Sequence, residues 1–271
     1  MVRFAALWSN DDSLNRWALG EARAALTWEV PGDGGQGLGW VQDGRSLLQR
    51  HPRGSDARVE LAGLLSELRS RTILGCVDGG GPQEIAELSP FRFRSWLYAA
   101  APSAALGAEV KAALVEGLPD FLKRNIEGKS DGEVLFHHFL AELYKRDAFN
   151  MPSVDGKLAA DALGASLAGI TAAAPAVAAG MRCVAVTERL VVGATRGGSL
   201  AIRQWRGVEE PAPAPLFAGH RPKAVAHPHY KAALIVSGPA PAGAEWAQIA
   251  PDHLFWVGRD GVTGTRELLT P

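Results

Sequence analysis

Cysteine is nearly missing from this chain: Cys76 and Cys183 are the only two, more than a hundred residues apart. They form no C-x-x-C pair and no disulfide framework, so neither a dithiol redox motif nor a stapled secreted scaffold is indicated, and a reducing cytoplasm is expected. A surplus of one charge is missing too. With 28 basic and 29 acidic residues the formal net charge is −1, which gives no global field to gather nucleic acid or an anionic membrane. Long hydrophobic runs are also lacking. Residues 1–7 are apolar but few, broken by Arg3 and followed by Asn10, Asp11 and Asp12, which is not the make-up of a signal peptide. The longest small-apolar stretch, 158–179, contains Asp161 and Pro175 and is mostly alanine, so no spanning helix is predicted. No internal repeat is visible.

What is present suffices for a full core: 47% of the 271 residues are hydrophobic and 21% charged, enough for one large or two small domains. Short apolar runs that stop at turn formers predict strands at 2–8, 46–49, 72–77, 91–100, 182–187, 190–195, 199–205, 232–237 and 253–258. Apolar spacing near 3.6 predicts helices at 13–27 with Ser13 as N-cap, 55–71, 104–116, 130–145 and 155–173. Gly32, Gly34, Gly35, Gly37 and Gly39 lead into Trp40 and Val41 and then the turn Asp43-Gly44, a hairpin signal. Strands, helices and strands again predict an α+β chain with two sheets flanked by helices. The eight tryptophans fall mostly within these elements and read as core.

No metal centre is expected. His220, His227 and His229 sit in a stretch broken by Pro228, with no cysteine or clear carboxylate partner nearby, and read as a surface loop. His137 and His138 are adjacent on a helix and point in different directions. The segment 209–215 is proline and alanine rich and reads as extended and exposed. No cofactor motif is found.

Several motifs in order resemble stand-alone class II glutamine amidotransferases, including the branch of the γ-glutamyl hydrolase of ergothioneine synthesis. Gly37-Leu38-Gly39-Trp40 with Asp43-Gly44 is similar to the family's glycine-rich hairpin. Gly75-Cys76-Val77-Asp78, Ser89-Pro90-Phe91 and the strand ending Ala101-Pro102 fall where the family has its arginine strand, its His-Pro-Phe and its Asn-Gly. Ser130-Asp131-Gly132-Glu133 resembles the Thr-Asp-Ser-Glu helix start, Ala194-Thr195-Arg196 an Ala-Thr-Arg strand end, and Ser237-Gly238-Pro239 a Ser-Glu-Pro. The resemblance spans almost the whole chain and implies a single domain over 1–271, a four-layer αββα sandwich of the N-terminal nucleophile hydrolase type.

The chemistry departs from that pattern. In the family the residue after the initiating Met is a cysteine nucleophile, and here it is Val2, which has no atom able to attack an amide. The arginine that holds the substrate carboxylate is Asp78, of opposite charge. The Asn-Gly oxyanion donors are Ala101 and Pro102, and proline has no N–H to give. Asp131, whose counterpart binds the substrate's amino group, is kept, although Ser130 or Asp131 as a helix cap is the simpler reading. Ligand-facing candidates are thus Asp78, Asp131, Gly37 and Gly39, the glycines having close packing or positive φ as their alternative. Cys76, inside an apolar strand, reads as an inert buried thiol. The expectation is a catalytically inactive amidotransferase-like protein whose partner is another protein. The alternatives are an amide hydrolase with an unrecognised nucleophile, or a sensor whose acidic pocket takes a small amine or amino-acid-like ligand. Neither nucleic acid nor membrane is expected as a partner.

Overall fold

The computed structural model describes residues 2–29, 34–52, 58–79, 84–210, 225–243 and 245–268. In chain order the first half gives β1 (Val2–Ser9), α1 (Asn15–Glu21), β2 (Thr27–Glu29), β3 (Gly35–Gln42), β4 (Arg45–Pro52), β5 (Arg58–Glu60), α2 (Leu61–Ser66), β6 (Thr72–Asp78), β7 (Phe91–Phe93) and β8 (Trp96–Ala101). Helices α3 (Ala108–Glu116), α4 (Asp120–Lys123), α5 (Asp131–Lys145), α6 (Gly156–Ala173) and α7 (Pro175–Ala178) follow. Then come β9 (Arg182–Thr187), β10 (Leu190–Thr195), β11 (Leu200–Glu210), β12 (Val225–Ser237), β13 (Trp246–Ile249), β14 (His253–Val257) and β15 (Thr263–Glu267).

The strands form a seven-stranded sheet, β13-β11-β12-β1-β6-β3-β4, and a six-stranded sheet, β15-β14-β10-β9-β8-β7, with β2 and β5 as a separate pair. Strand alternation sends Phe4, Ala6 and Trp8 of β1 to one face and Ala5 and Leu7 to the other. The first set meets Leu74, Cys76, Leu97, Val184 and Val191 in a layer between the two sheets. The second set meets Leu14, Ala18, Leu19, Leu61 and Leu65 under α1 and α2. On the far side, Phe136, Phe139 and Leu140 of α5 and Leu163 and Leu167 of α6 pack on Tyr98, Cys183 and Val192 of the second sheet. The order of layers is therefore helix, sheet, sheet, helix, an α+β sandwich as the sequence predicts. Burying each large side chain in these layers contributes about 1.5–3 kcal/mol.

Local chemistry explains most element ends. Asp43 and Gly44 both have positive φ, 52° and 71°, the left-handed pair a tight two-residue hairpin between β3 and β4 requires. Ser130 Oγ accepts from Glu133 N at 3.2 Å and caps α5, and Asp155 accepts from Lys157 N and Leu158 N to cap α6. Among the described residues no helix is long and apolar enough to cross a membrane.

Four expectations are corrected. The helix expected at 55–71 is helical only over Leu61–Ser66, while Arg58–Glu60 extends as β5 because it pairs with β2. The helix expected at 13–27 is α-helical only over Asn15–Glu21 and has no side-chain cap, while Ser13 lies in the 3-10 turn before it, Asp12–Leu14, which Asp11 caps by accepting from Ser13 N. The single strand at 91–100 is two, because Arg94 takes φ 52° and turns the chain between Phe93 and Trp96. The histidine-bearing stretch is not a loop at 225–229: His227, Pro228 and His229 lie within β12. Pro228 is tolerated there because it lies outside the pairing with β1 and opposite a bulge at Gly207. Of the extended segment 209–215, Glu209 and Glu210 belong to β11. Residues 211–215 and His220 lie outside the described residues.

Candidate functional site

The site begins with the pairing of β1 and β6, which sets Val2 opposite Asp78. By strand parity both share the face of Phe4 and Cys76, toward the second sheet. At this open end of the inter-sheet layer Val2, Asp78, Ser89, Phe91, Pro102 and Asp131 line a cavity of about 280 Å³, with Glu87, Lys129 and Ser130 at its rim. Val2 is also held from behind, since the amide of Phe4 donates to Ser237 Oγ at 2.8 Å. The degenerate positions read from the sequence are thus brought together, except that Ala101 is buried in β8 against Arg182 and its neighbours Ala100 and Pro102 form the wall instead.

Gly37 and Gly39 do not line this cavity; they make room for what does. With Gly35 they alternate along one face of β3, so no side chain stands between β3 and the chain crossing it. A Cβ at Gly37 would lie 1.9 Å from the Ser89 carbonyl oxygen, and one at Gly39 would lie 3.0 Å from Leu97 Cδ1. Neither glycine has positive φ, so close packing is the reason for both. Arg50, opposite Gly37 on β4, fixes the crossing segment by donating from Nε and Nη2 to the Pro90 carbonyl at 3.1 and 2.7 Å. Burial holds the Arg50 guanidinium below its ordinary pKa, with Glu133 and Glu127 opposing that shift.

Asp131 is engaged by protein. Its Oδ2 accepts from Leu106 N at 2.8 Å and its Oδ1 pairs with Lys111 Nζ at 2.8 Å, while Lys111 Nζ also donates to the Lys129 carbonyl. The acidic pocket expected from Asp78 and Asp131 has no arginine among its lining residues, but Asp131 is paired with a lysine. Lys111, on α3, supplies the cation, and Lys129 stands beside it at the rim. Capping falls to Ser130, so Asp131 instead ties the loop before α3 to the start of α5. Glu133 performs a parallel tie, accepting from Glu127 N and Gly128 N at 2.8 Å each.

The thiols offer no nucleophile. Cys76 is fully buried between the sheets, and burial first, then the Asp78 charge, push its pKa well above the ordinary value. Cys183 is pushed up to about 12 by burial. Hydroxyls are the other candidates: Ser130 Oγ is occupied as a cap, and Ser89 is buried in the wall with no histidine among the lining residues. Among the described residues no group of three or more His, Cys, Asp or Glu is placed to hold a metal ion.

No family model matches the sequence, and no curated protein matches it in sequence. Solved structures do match its shape. A glutamine aminotransferase class-II domain protein from Silicibacter pomeroyi superposes with TM-score 0.55 at 15% identity, covering 98% of this chain and 99% of that one. The allosteric regulatory enzyme of purine biosynthesis gives 0.57 at 13% identity, and glutamine phosphoribosylpyrophosphate amidotransferase from B. subtilis gives 0.51 at 11%. Both are covered over 99% of this chain, which spans about half of theirs, 49% and 50%.

The fold is that of the class II glutamine amidotransferase domain.

It is the N-terminal nucleophile type of αββα sandwich, and it places Val2 at the head of β1 in the inter-sheet cavity. Sequence reasoning missed Glu87, in the one-turn 3-10 helix Ile85–Glu87, and Lys129, in the loop before α5, both too short to show periodicity, and Lys111, whose role depends on how α3 packs beside α5. It quoted Ser89 and Phe91 only within a motif. The glycine alternation Gly35, Gly37, Gly39 was the available signal that a chain crosses β3 there.

Proposed function

We propose that this chain is a catalytically inactive class II glutamine amidotransferase-like protein, one unit over its whole length, that acts in the cytoplasm as a protein-binding or regulatory partner. One observation carries the reading: the head of β1, where the resemblance puts a nucleophile, is Val2, and it stands beside Asp78 of the neighbouring strand in the lining of a cavity that Pro102 also walls. Three requirements of amide hydrolysis fail at that one place. The attacking atom is a methyl group, the substrate carboxylate would meet a carboxylate, and the oxyanion would meet a nitrogen without hydrogen. Loss of a single oxyanion donor removes on the order of 100-fold or more in rate, so several coincident losses support a scaffold kept for its surfaces.

A second reading, a sensor of a small amine, is supported by Asp78 and Glu87 on the same lining. It is weakened by Lys111, which satisfies Asp131.

The test is ammonia release from glutamine and from γ-glutamyl amides. The purified protein is expected to match a blank, and Val2→Cys alone is expected to remain at blank because Pro102 and Asp78 are unchanged. Turnover that disappears in Ser89→Ala or Cys76→Ala would overturn the reading in favour of a hydrolase with a displaced nucleophile.

A further inference from the structure

At the opposite end of β7 and β8 from the cavity, a groove of about 680 Å³ opens where the edge strands of the two sheets meet. Its charged lining is Arg45, Arg92 and Arg94, and no carboxylate lines it. Two hairpin ends supply these residues. Arg45 follows the Asp43-Gly44 turn at the start of β4, while Arg92 and Arg94 flank the end of β7. The two ends are tied to each other, since Ser46 Oγ donates to the Arg94 carbonyl and Arg92 Nη1 donates to the Ser46 carbonyl at 3.3 Å. The Arg94 guanidinium lies over the Phe149 ring, 4.7 Å from its centroid, and donates to Asn150 Oδ1. All three arginines are exposed, and among the described residues none of them forms an ion pair with a carboxylate.

Three guanidinium groups gathered without an anion repel one another, and the hydrogen-bonded supports hold Arg92 and Arg94 where they are. Such an arrangement is stabilised by carboxylates brought from outside, which guanidinium accepts in fork geometry. The rest of the lining decides which anion. β4 and β7 are each the last strand of their sheet among the described residues; at the groove the Ser46 and Arg94 carbonyls are already bonded, so an extended peptide lying along these edges is held through the arginine side chains. Met151, 45% exposed, adds apolar surface beside the charges, while the buried Phe149 ring serves as the seat of Arg94. Asp43 precedes Gly44 of the lining in sequence and Asp147 lies two residues before Phe149, so acidic positions flank the basic patch, and the whole chain carries −1. A long polyanion such as a nucleic acid would overrun that patch, whereas a short acidic segment would not.

We propose that this groove is the docking site for an extended acidic segment of a partner protein, with carboxylates on Arg45, Arg92 and Arg94 and an apolar side chain against Met151. The inference rests on the partner-binding reading above and deepens it by naming the surface and the chemistry of the partner. It does not involve the cavity at Val2.

The test is fluorescence anisotropy with a short fluorescein-labelled peptide of alternating glutamate and leucine, added to the full chain. Saturable binding that weakens with added salt is expected. The double substitution Arg45→Glu with Arg92→Glu, both on exposed side chains, is expected to weaken binding by about tenfold or more while circular dichroism stays unchanged. The gentler pair Arg45→Ala with Arg92→Ala should give a smaller loss in the same direction if the charge-reversed protein does not fold. A lysine–leucine peptide should not bind. Equal affinity in both double variants, displacement of the peptide by low inorganic phosphate, equal binding of a single-stranded oligonucleotide, or no peptide binding at all would each overturn the proposal. None of these outcomes bears on ammonia release, so failure of the docking site and failure of the inactive-scaffold reading are read separately.

Discussion

At the scale of single residues, Val2, Asp78 and Pro102 set the chemistry of the cavity and the glycines of β3 set the packing beside it. Val2, Asp78 and Pro102 could be read as departures because each removes a specific atom or reverses a charge, and the register of β1 with β6 brings the first two face to face. What Lys111 does was not legible, because no local pattern announces that a lysine on α3 will reach the first turn of α5. The glycines of β3 were half legible: their alternation was visible, but their purpose appears only with Ser89 lying across them. That purpose predicts a difference of sign between two glycines. Gly37→Ala drives a Cβ into backbone at 1.9 Å and is expected to cost about 1–3 kcal/mol, as overpacking does. Gly20→Ala, in α1 with nothing within 4 Å of the new atom, is expected to stabilise by up to about 1 kcal/mol through helix propensity. Urea denaturation of the two variants checks this, and a neutral Gly37→Ala would refute the close-packing account.

Among elements, the long helices were legible and the short ones were not. α5 and α6 carry enough turns for apolar periodicity to show, and each starts at a side chain that caps it. The spacing of Val59, Leu61, Leu64, Leu65 and Leu68 predicts one helix over 55–71, and at 58–60 the pairing of β5 with β2 overrides it. Likewise, Pro228 argued for a loop until the bulge opposite it is known. α5 also carries a pH dependence. His137 and His138 are both held below the ordinary imidazole pKa, in each case mainly by burial. Hydrogen bonds to the Glu133 and Leu114 carbonyls and the nearby Glu142 oppose that shift, while Lys145 adds to it at His138. With the folded value lowered, the unfolded chain binds protons that the folded helix resists. Stability from this source is therefore full above the ordinary imidazole value and declines as the pH falls through it. Denaturation midpoints should fall from about pH 7.5 to about pH 5.5, and fall less in His138→Gln. A midpoint that rises on acidification would contradict the assignment.

For the whole molecule, the order of strands and helices along the chain points only to two sheets flanked by helices, and it is the family resemblance that implies four layers; the strand order β13-β11-β12-β1-β6-β3-β4 over β15-β14-β10-β9-β8-β7 realises them. The layering follows from strand parity: each sheet buries one face against the other sheet and one against helices, so both strand faces must be apolar, as they are in β1 and β6. The basic groove was not legible, because Arg45 lies far in sequence from Arg92 and Arg94 and joins them only where the edges of the two sheets converge. The central claim, that this frame encloses a cavity without a working nucleophile, is tested most directly by intact-mass spectrometry after incubation with a diazoketone analogue of glutamine, which traps any nucleophile that can attack in a glutamine-shaped site. The account predicts an unchanged mass for the wild-type chain; a single covalent adduct mapping to Ser89, Ser130 or Cys76 would contradict it.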